Sequence, residues 1–126
     1  MEEIQEPLYD RVGGEMAIMA ATELLYRKLL ADELTARFFT DVDMATQSRK
    51  LMGFLTWAFG GPVQYRGKPL REAHAKLVAE QGLSDTHFDA VVNHLAATLE
   101  ELEFDAALTT EIASRVASLR AEVLSR

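Results

Sequence analysis

An all-α fold is predicted by three features of the sequence. Apolar residues recur with a helical period, no stretch alternates with period two for long enough to make a strand, and the few glycines and prolines sit between the periodic blocks. Gly13-Gly14 follows a short first element, Leu8-Tyr9-Asp10-Arg11-Val12. Gly60-Gly61-Pro62 closes a second block, and Pro69 opens a third that Gly82 closes.

Each element has its own signal. From residue 16, Ile18, Ala21, Leu25 and Leu29 hold one face of a helix, with Glu15 near its start. A second helix runs from about Ala45 to Phe59, with Gln47, Leu51, Phe54 and Leu55 on one side. Residues 62–69 read as an irregular connection with turn chemistry at both ends. Pro69 suits the first position of a short helix to about Glu80, and Gly82 suits its C-terminal cap. The inward face of that helix carries Leu70, His74, Leu77 and Val78, so a histidine stands inside an apolar stripe. The clearest helix begins after Ser84, through Phe88, Val91, Val92, Leu95, Leu99 and Leu102. A last one spans Thr109 to Leu124 through Ile112, Val116, Leu119 and Val123.

Composition narrows the function classes. A chain of 126 residues makes one domain, 1–126, able to bury roughly two-thirds of its unfolded surface. The 48% hydrophobic and 26% charged fractions exclude a disordered chain. The absence of cysteine removes disulfides, zinc-thiolate sites, thiolate nucleophiles and iron–sulfur clusters. No apolar run approaches the ~18–20 residues of a membrane span, and the first residues are acidic where a secretory signal is basic. Thirteen basic against twenty acidic residues give −7, which argues against nucleic acid and anionic membranes as partners. A small, acidic, cytosolic domain is the expectation.

Few residues offer chemistry. His74 is either a semi-buried histidine bonded to a nearby carbonyl or a metal ligand, since a neutral imidazole on an apolar wall is what an axial haem ligand requires. Gln47, Lys50, Leu51 and Phe54 share one side of the second helix, either as a solvated boundary or as the wall of a pocket. Tyr26 is a core tyrosine whose hydroxyl finds a carbonyl, or a donor aimed at a ligand. His87, in the first turn after Ser84, and His94 read as solvated or bland positions. No paired carboxylates, glycine-rich phosphate loop or Ser/His/Asp arrangement stands out, so no catalytic residue is assigned.

Five ordered blocks carry a resemblance. Leu8-Tyr9-Asp10-Arg11-Val12-Gly13-Gly14, then Asp41-Val42-Asp43-Met44-Ala45-x-Gln47, then Phe54 through Pro62, then Leu70-Arg71-Glu72-Ala73-His74-x-x-Leu77, then His87-Phe88-Asp89-Ala90-Val91 resemble the group I truncated haemoglobins, the cyanobacterial members above all. The likeness runs from about residue 8 to 124. It implies a two-over-two helical sandwich around one haem b, with residues 1–7 a short N-terminal extension. The proximal iron ligand maps to His74, whose other N–H is expected to find a local acceptor. Tyr26 maps to the distal hydrogen-bonding tyrosine, and Gln47 and Leu51 to the distal polar positions, the second being glutamine in many members. Phe39 corresponds to the aromatic that stacks on haem, with Phe54, Leu77, Leu83, Phe88 and Val92 as apolar walls.

Lys50 has two implied uses: contact with a haem propionate, or ligation of iron as the sixth ligand through its neutral amine. Some relatives attach haem covalently to a histidine in the last helix. No histidine follows His94 here, so non-covalent haem is expected. The resemblance implies binding of O2, NO and CO, for O2 binding or transport and possible NO detoxification. NO dioxygenation with an electron-donating reductase, ligand sensing, and a haem-free helical interaction module are the alternatives. A monomer is expected.

Overall fold

Gly13 opens the described structure in a left-handed conformation, φ 102°, where an added Cβ would lie 3.2 Å from that of Ala17. From it departs α1, Gly14–Ala31. The computed structural model describes residues 13–39, 43–61 and 68–126. The first element foreseen at residues 8–12 and most of the 62–69 connection lie outside the described residues.

Six further helices follow among the described residues: α2 (Glu33–Ala36), α3 (Met44–Ala58), α4 (Lys68–Gln81), α5 (Asp85–Glu101), α6 (Ala106–Ala117) and α7 (Arg120–Val123). No strand occurs among them. The α1–α3 pair forms one layer and the α5–α6 pair the other; α1 lies on α5 and α3 on α6. This is a two-over-two sandwich. The α4 helix stands outside the sandwich, packed on α7.

The core lies where the four long helices meet. Ile18, Leu25 and Leu29 enter from α1, Leu51 and Leu55 from α3, Leu95 and Leu99 from α5, and Ile112 and Val116 from α6. Each such side chain contributes roughly 1.5–3 kcal/mol by leaving water. These are the periodic positions of the sequence, which is why the layers meet on these faces.

Helix ends are set by side chains. Asp43 begins α3, its carboxylate accepting from the Thr46 N–H at 2.9 Å. At the other end of α3, Arg115 donates to the carbonyls of Ala58 (3.0 Å) and Trp57 (2.9 Å), with its guanidinium 4.6 Å from the Trp57 ring centre. Gly82, at φ 70°, ends α4, and the Leu83 N–H returns to the Leu77 carbonyl at 3.1 Å, as the cap expected there requires.

Three boundaries differ from expectation. The first long helix starts at Gly14 instead of residue 16. The one-turn α2 was not foreseen; Asp32 nucleates it by accepting from the Leu34 N–H at 3.0 Å, and Thr35 ties it to the Leu29 carbonyl at 2.7 Å. The single last helix foreseen over Thr109–Leu124 is two. Asp105 moves its start forward, accepting from the Ala107 N–H. Ser118 Oγ then donates to the Arg115 carbonyl at 2.6 Å, while the Leu119 N–H bonds Val116 instead.

Candidate functional site

Two walls carry the residues singled out above. On α1, Tyr26 follows the buried stripe and is 6% exposed. Its hydroxyl is buried with no hydrogen-bond partner among the described residues. A buried O–H left unpaired costs on the order of 1–3 kcal/mol, so native structures rarely tolerate one without a use. Phe39 stands beside it, ring centres 6.0 Å apart and tilted by 53°.

The α3 helix supplies the next residues. Leu51 joins the core and Phe54 packs against it, as does Val92 from α5. Gln47 is half-buried one turn before Leu51, and Lys50 is exposed. Tyr26, Phe39, Leu51, Phe54 and Val92 thus gather in one apolar region.

The second wall is α4 and the turn after it. His74 is half-buried, and its Nδ1 lies 2.9 Å from the Leu70 carbonyl oxygen. A carbonyl only accepts, so Nδ1 carries the hydrogen and Nε2 is the nitrogen left with a lone pair. The local acceptor anticipated for His74 is therefore its own helix, four residues back. Leu77 and Leu83 are half-buried around it along the chain. Phe88 is buried, with the Arg120 guanidinium 4.6 Å from its ring centre. These four do not belong to the cluster that holds Tyr26.

The other two histidines have structural partners. His87 accepts the Ser84 N–H through Nδ1 at 3.1 Å, closing the start of α5, and sits edge-on to Phe38 at 5.0 Å. His94 Nε2 lies 2.7 Å from the Asp32 carboxylate, 62 residues away in sequence. That hydrogen bond, with a second from the Leu34 N–H, holds the Asp32 carboxyl below the usual carboxylate range. His87 is thus half-buried on a partner instead of solvated as expected, while His94 has the bland structural role read for it. His74 keeps Nε2 without a hydrogen-bond partner among the described residues.

The residues fit a haem. Iron needs an imidazole nitrogen with its partner N–H already engaged, an apolar surround, and a donor for a small ligand on the other wall. His74, the cluster around Phe39 and Phe54, and the Tyr26 hydroxyl would supply those three things. A two-over-two helical sandwich with this complement is a truncated globin.

Comparison with known proteins gives the same result. Residues 7–125 match the family model described as bacterial-like globin, and the chain belongs to that family. Its members bind haem and, on it, small diatomic ligands such as O2. The chain is 44% identical over 107 residues to the group 1 truncated haemoglobin GlbN of Synechocystis, covering 85% of this chain and 86% of that one. Among solved structures it resembles a 2/2 haemoglobin from a Synechococcus species, in the cyanomet state with covalently attached haem. The TM-score there is 0.89, at 41% identity over 96% of this chain and 100% of the other. The Fe(III) form of a truncated haemoglobin from Tetrahymena pyriformis gives a TM-score of 0.82 at 40% identity, over 94% and 98%.

Proposed function

We propose that the chain is a single haem-binding domain that holds haem b non-covalently through His74 and takes O2, NO or CO under Tyr26 and Gln47. The unpartnered Tyr26 hydroxyl carries this reading, because a buried phenol donor with no protein acceptor is a donor kept for something else. Haem, when bound, would supply an iron able to take a protein nitrogen and a small diatomic ligand. His74 would hold it through Nε2, oriented by its Nδ1–H bond to Leu70. Tyr26 and Gln47 favour a ligand that carries partial negative charge. Leu51, Phe54 and Phe39 keep water from competing for those donors.

Lys50 is exposed and has no ion-pair partner among the described residues. That favours an outward reach to a haem propionate over ligation of iron. A ferric spectrum that Lys50→Ala leaves unchanged from pH 7 to about 10, near the ordinary lysine value, is then expected. Conversion from a low-spin to a high-spin spectrum on that substitution would assign Lys50 to the iron. Non-covalent attachment is supported by the absence of any histidine after His94. Acid–organic extraction should remove the haem completely.

We take ligand binding and O2 transport as the main role, by a monomer in the cytosol. NO dioxygenation would use the same residues with a reductase. Mixing the oxygenated protein with NO and then cycling with a reductant separates the two, since repeated turnover marks the enzyme and a single stoichiometric reaction marks the carrier.

A further inference from the structure

A second feature lies at the α1–α3 seam and shares Tyr26 with the site above. A groove of about 390 Å³ runs there, lined by Met19, Tyr26 and Leu30 from α1 and by Met44, Arg49 and Met52 from α3. Its volume falls within the roughly 300–1,000 Å³ of small-molecule sites. Met19 is 51% exposed, Met44 65% and Leu30 38%, so an apolar strip lies open to water. From Met19 to Leu30 the strip follows eleven residues of helix, about 16 Å at 1.5 Å per residue.

Thr22, Glu23, Arg27, Ser48 and Arg49 also line the groove, and several of these polar groups are spent. The Thr22 hydroxyl donates to the Ile18 carbonyl at 2.7 Å. Arg27 is paired with Glu23 at 2.9 Å. Arg49 touches only the Thr46 hydroxyl, at 3.3 Å, and has no carboxylate among the described residues. One unpaired guanidinium therefore stands beside a long, featureless apolar strip on a chain of net charge −7. A planar guanidinium favours a carboxylate, and flexible methionines fit an unbranched chain better than a rigid ring.

We propose that this groove binds a free long-chain aliphatic carboxylate, its chain along Met19, Leu30, Met44 and Met52 and its head on Arg49. The site needs no haem, so it stands or falls separately from the role of His74.

Calorimetric titration of the CO-bound holoprotein with decanoate, laurate and myristate, each below its micellar concentration, tests it. One saturable site per chain is expected, tightening about two- to fourfold for each added methylene. Arg49→Glu should weaken laurate at least tenfold and Arg49→Lys less, and dodecanol should bind at least tenfold more weakly than laurate. Met44→Glu, at an exposed position, should also abolish binding while leaving the helical circular dichroism unchanged. The Soret band should not move on laurate addition. Affinity independent of chain length, or indifferent to both Arg49→Glu and Met44→Glu, overturns the proposal. So does a shifted Soret band, which would place the acyl chain at the haem. Binding to phosphatidylglycerol vesicles without binding of free laurate overturns it in favour of a membrane surface. Concentration-dependent dimerisation abolished by Met44→Glu, with no laurate bound, overturns it in favour of a second copy.

Discussion

A phenol as buried as Tyr26 ordinarily ends on a carbonyl, and that outcome was one of the two readings its position allowed. Its hydroxyl instead meets no acceptor among the described residues. Tyr26→Phe should therefore leave the stability of the haem-free protein unchanged or slightly raised, because an unpaired buried O–H is removed. The same change should speed O2 dissociation from the holoprotein by about five- to thirtyfold, the loss of one hydrogen bond of roughly 1–2 kcal/mol. Chemical denaturation and stopped-flow displacement of O2 by CO check the two halves. A structural tyrosine would show the opposite pattern.

His74 was legible because its place on an apolar stripe is a matter of spacing along one helix. The partners of the other histidines were not. His94 meets Asp32 across 62 residues, and only the closing of α1 and α2 on α5 brings them together. Arg115 was missed altogether. It reaches α3 carbonyls 57 and 58 residues away, and nothing local marks an arginine in a helix for that task.

Helix ends show the same division between local and distant causes. Gly82 was legible as a cap because the left-handed residue after a helix is most often glycine. A Cβ there would meet nothing within 4 Å, so Gly82→Ala carries only the backbone cost of φ 70°. We expect a loss of about 1–2 kcal/mol, read from the urea midpoint, with Gly82→Asn costing less. Arg115→Met should cost more, about 2 kcal/mol or above, since two carbonyls at the end of α3 lose a charged donor. The break between α6 and α7 escaped the sequence reading because the apolar period runs straight across it. The cause is one hydroxyl, Ser118, capturing the Arg115 carbonyl.

At the scale of the whole molecule, the layers were legible and their spacing was not. Apolar periodicity identified the faces of α1, α3, α5 and α6, and the resemblance supplied their pairing. The α4 helix gave the least warning of its placement, since it packs on α7 and not into the sandwich.

Three carboxylates set a pH dependence, two of them, Asp32 and Asp85, by tying elements together. Asp32 is held below its ordinary value of 3.8 first by its bond to His94, Asp43 by the Thr46 hydroxyl and N–H, and Asp85 by Arg126 and then Arg120. A carboxyl whose native value is lowered stabilises the fold fully above its unfolded value, near pH 4, and loses that contribution as pH falls through the lower native value. Stability should accordingly be flat in this respect above about pH 5 and fall below about pH 4. Urea midpoints taken across that range should lose part of their slope in Asp32→Asn and Asp85→Asn.

The central claim is that His74 holds iron. Stoichiometric haem is added to the haem-free chain and the Soret band followed, for the native protein and for His74→Gly with and without imidazole. One haem per chain is expected for the native protein, with a histidine-type ferrous spectrum; His74→Gly should lose that spectrum and imidazole should restore it. A native-like spectrum in His74→Gly without imidazole, or no Soret band in the native chain, would contradict the assignment.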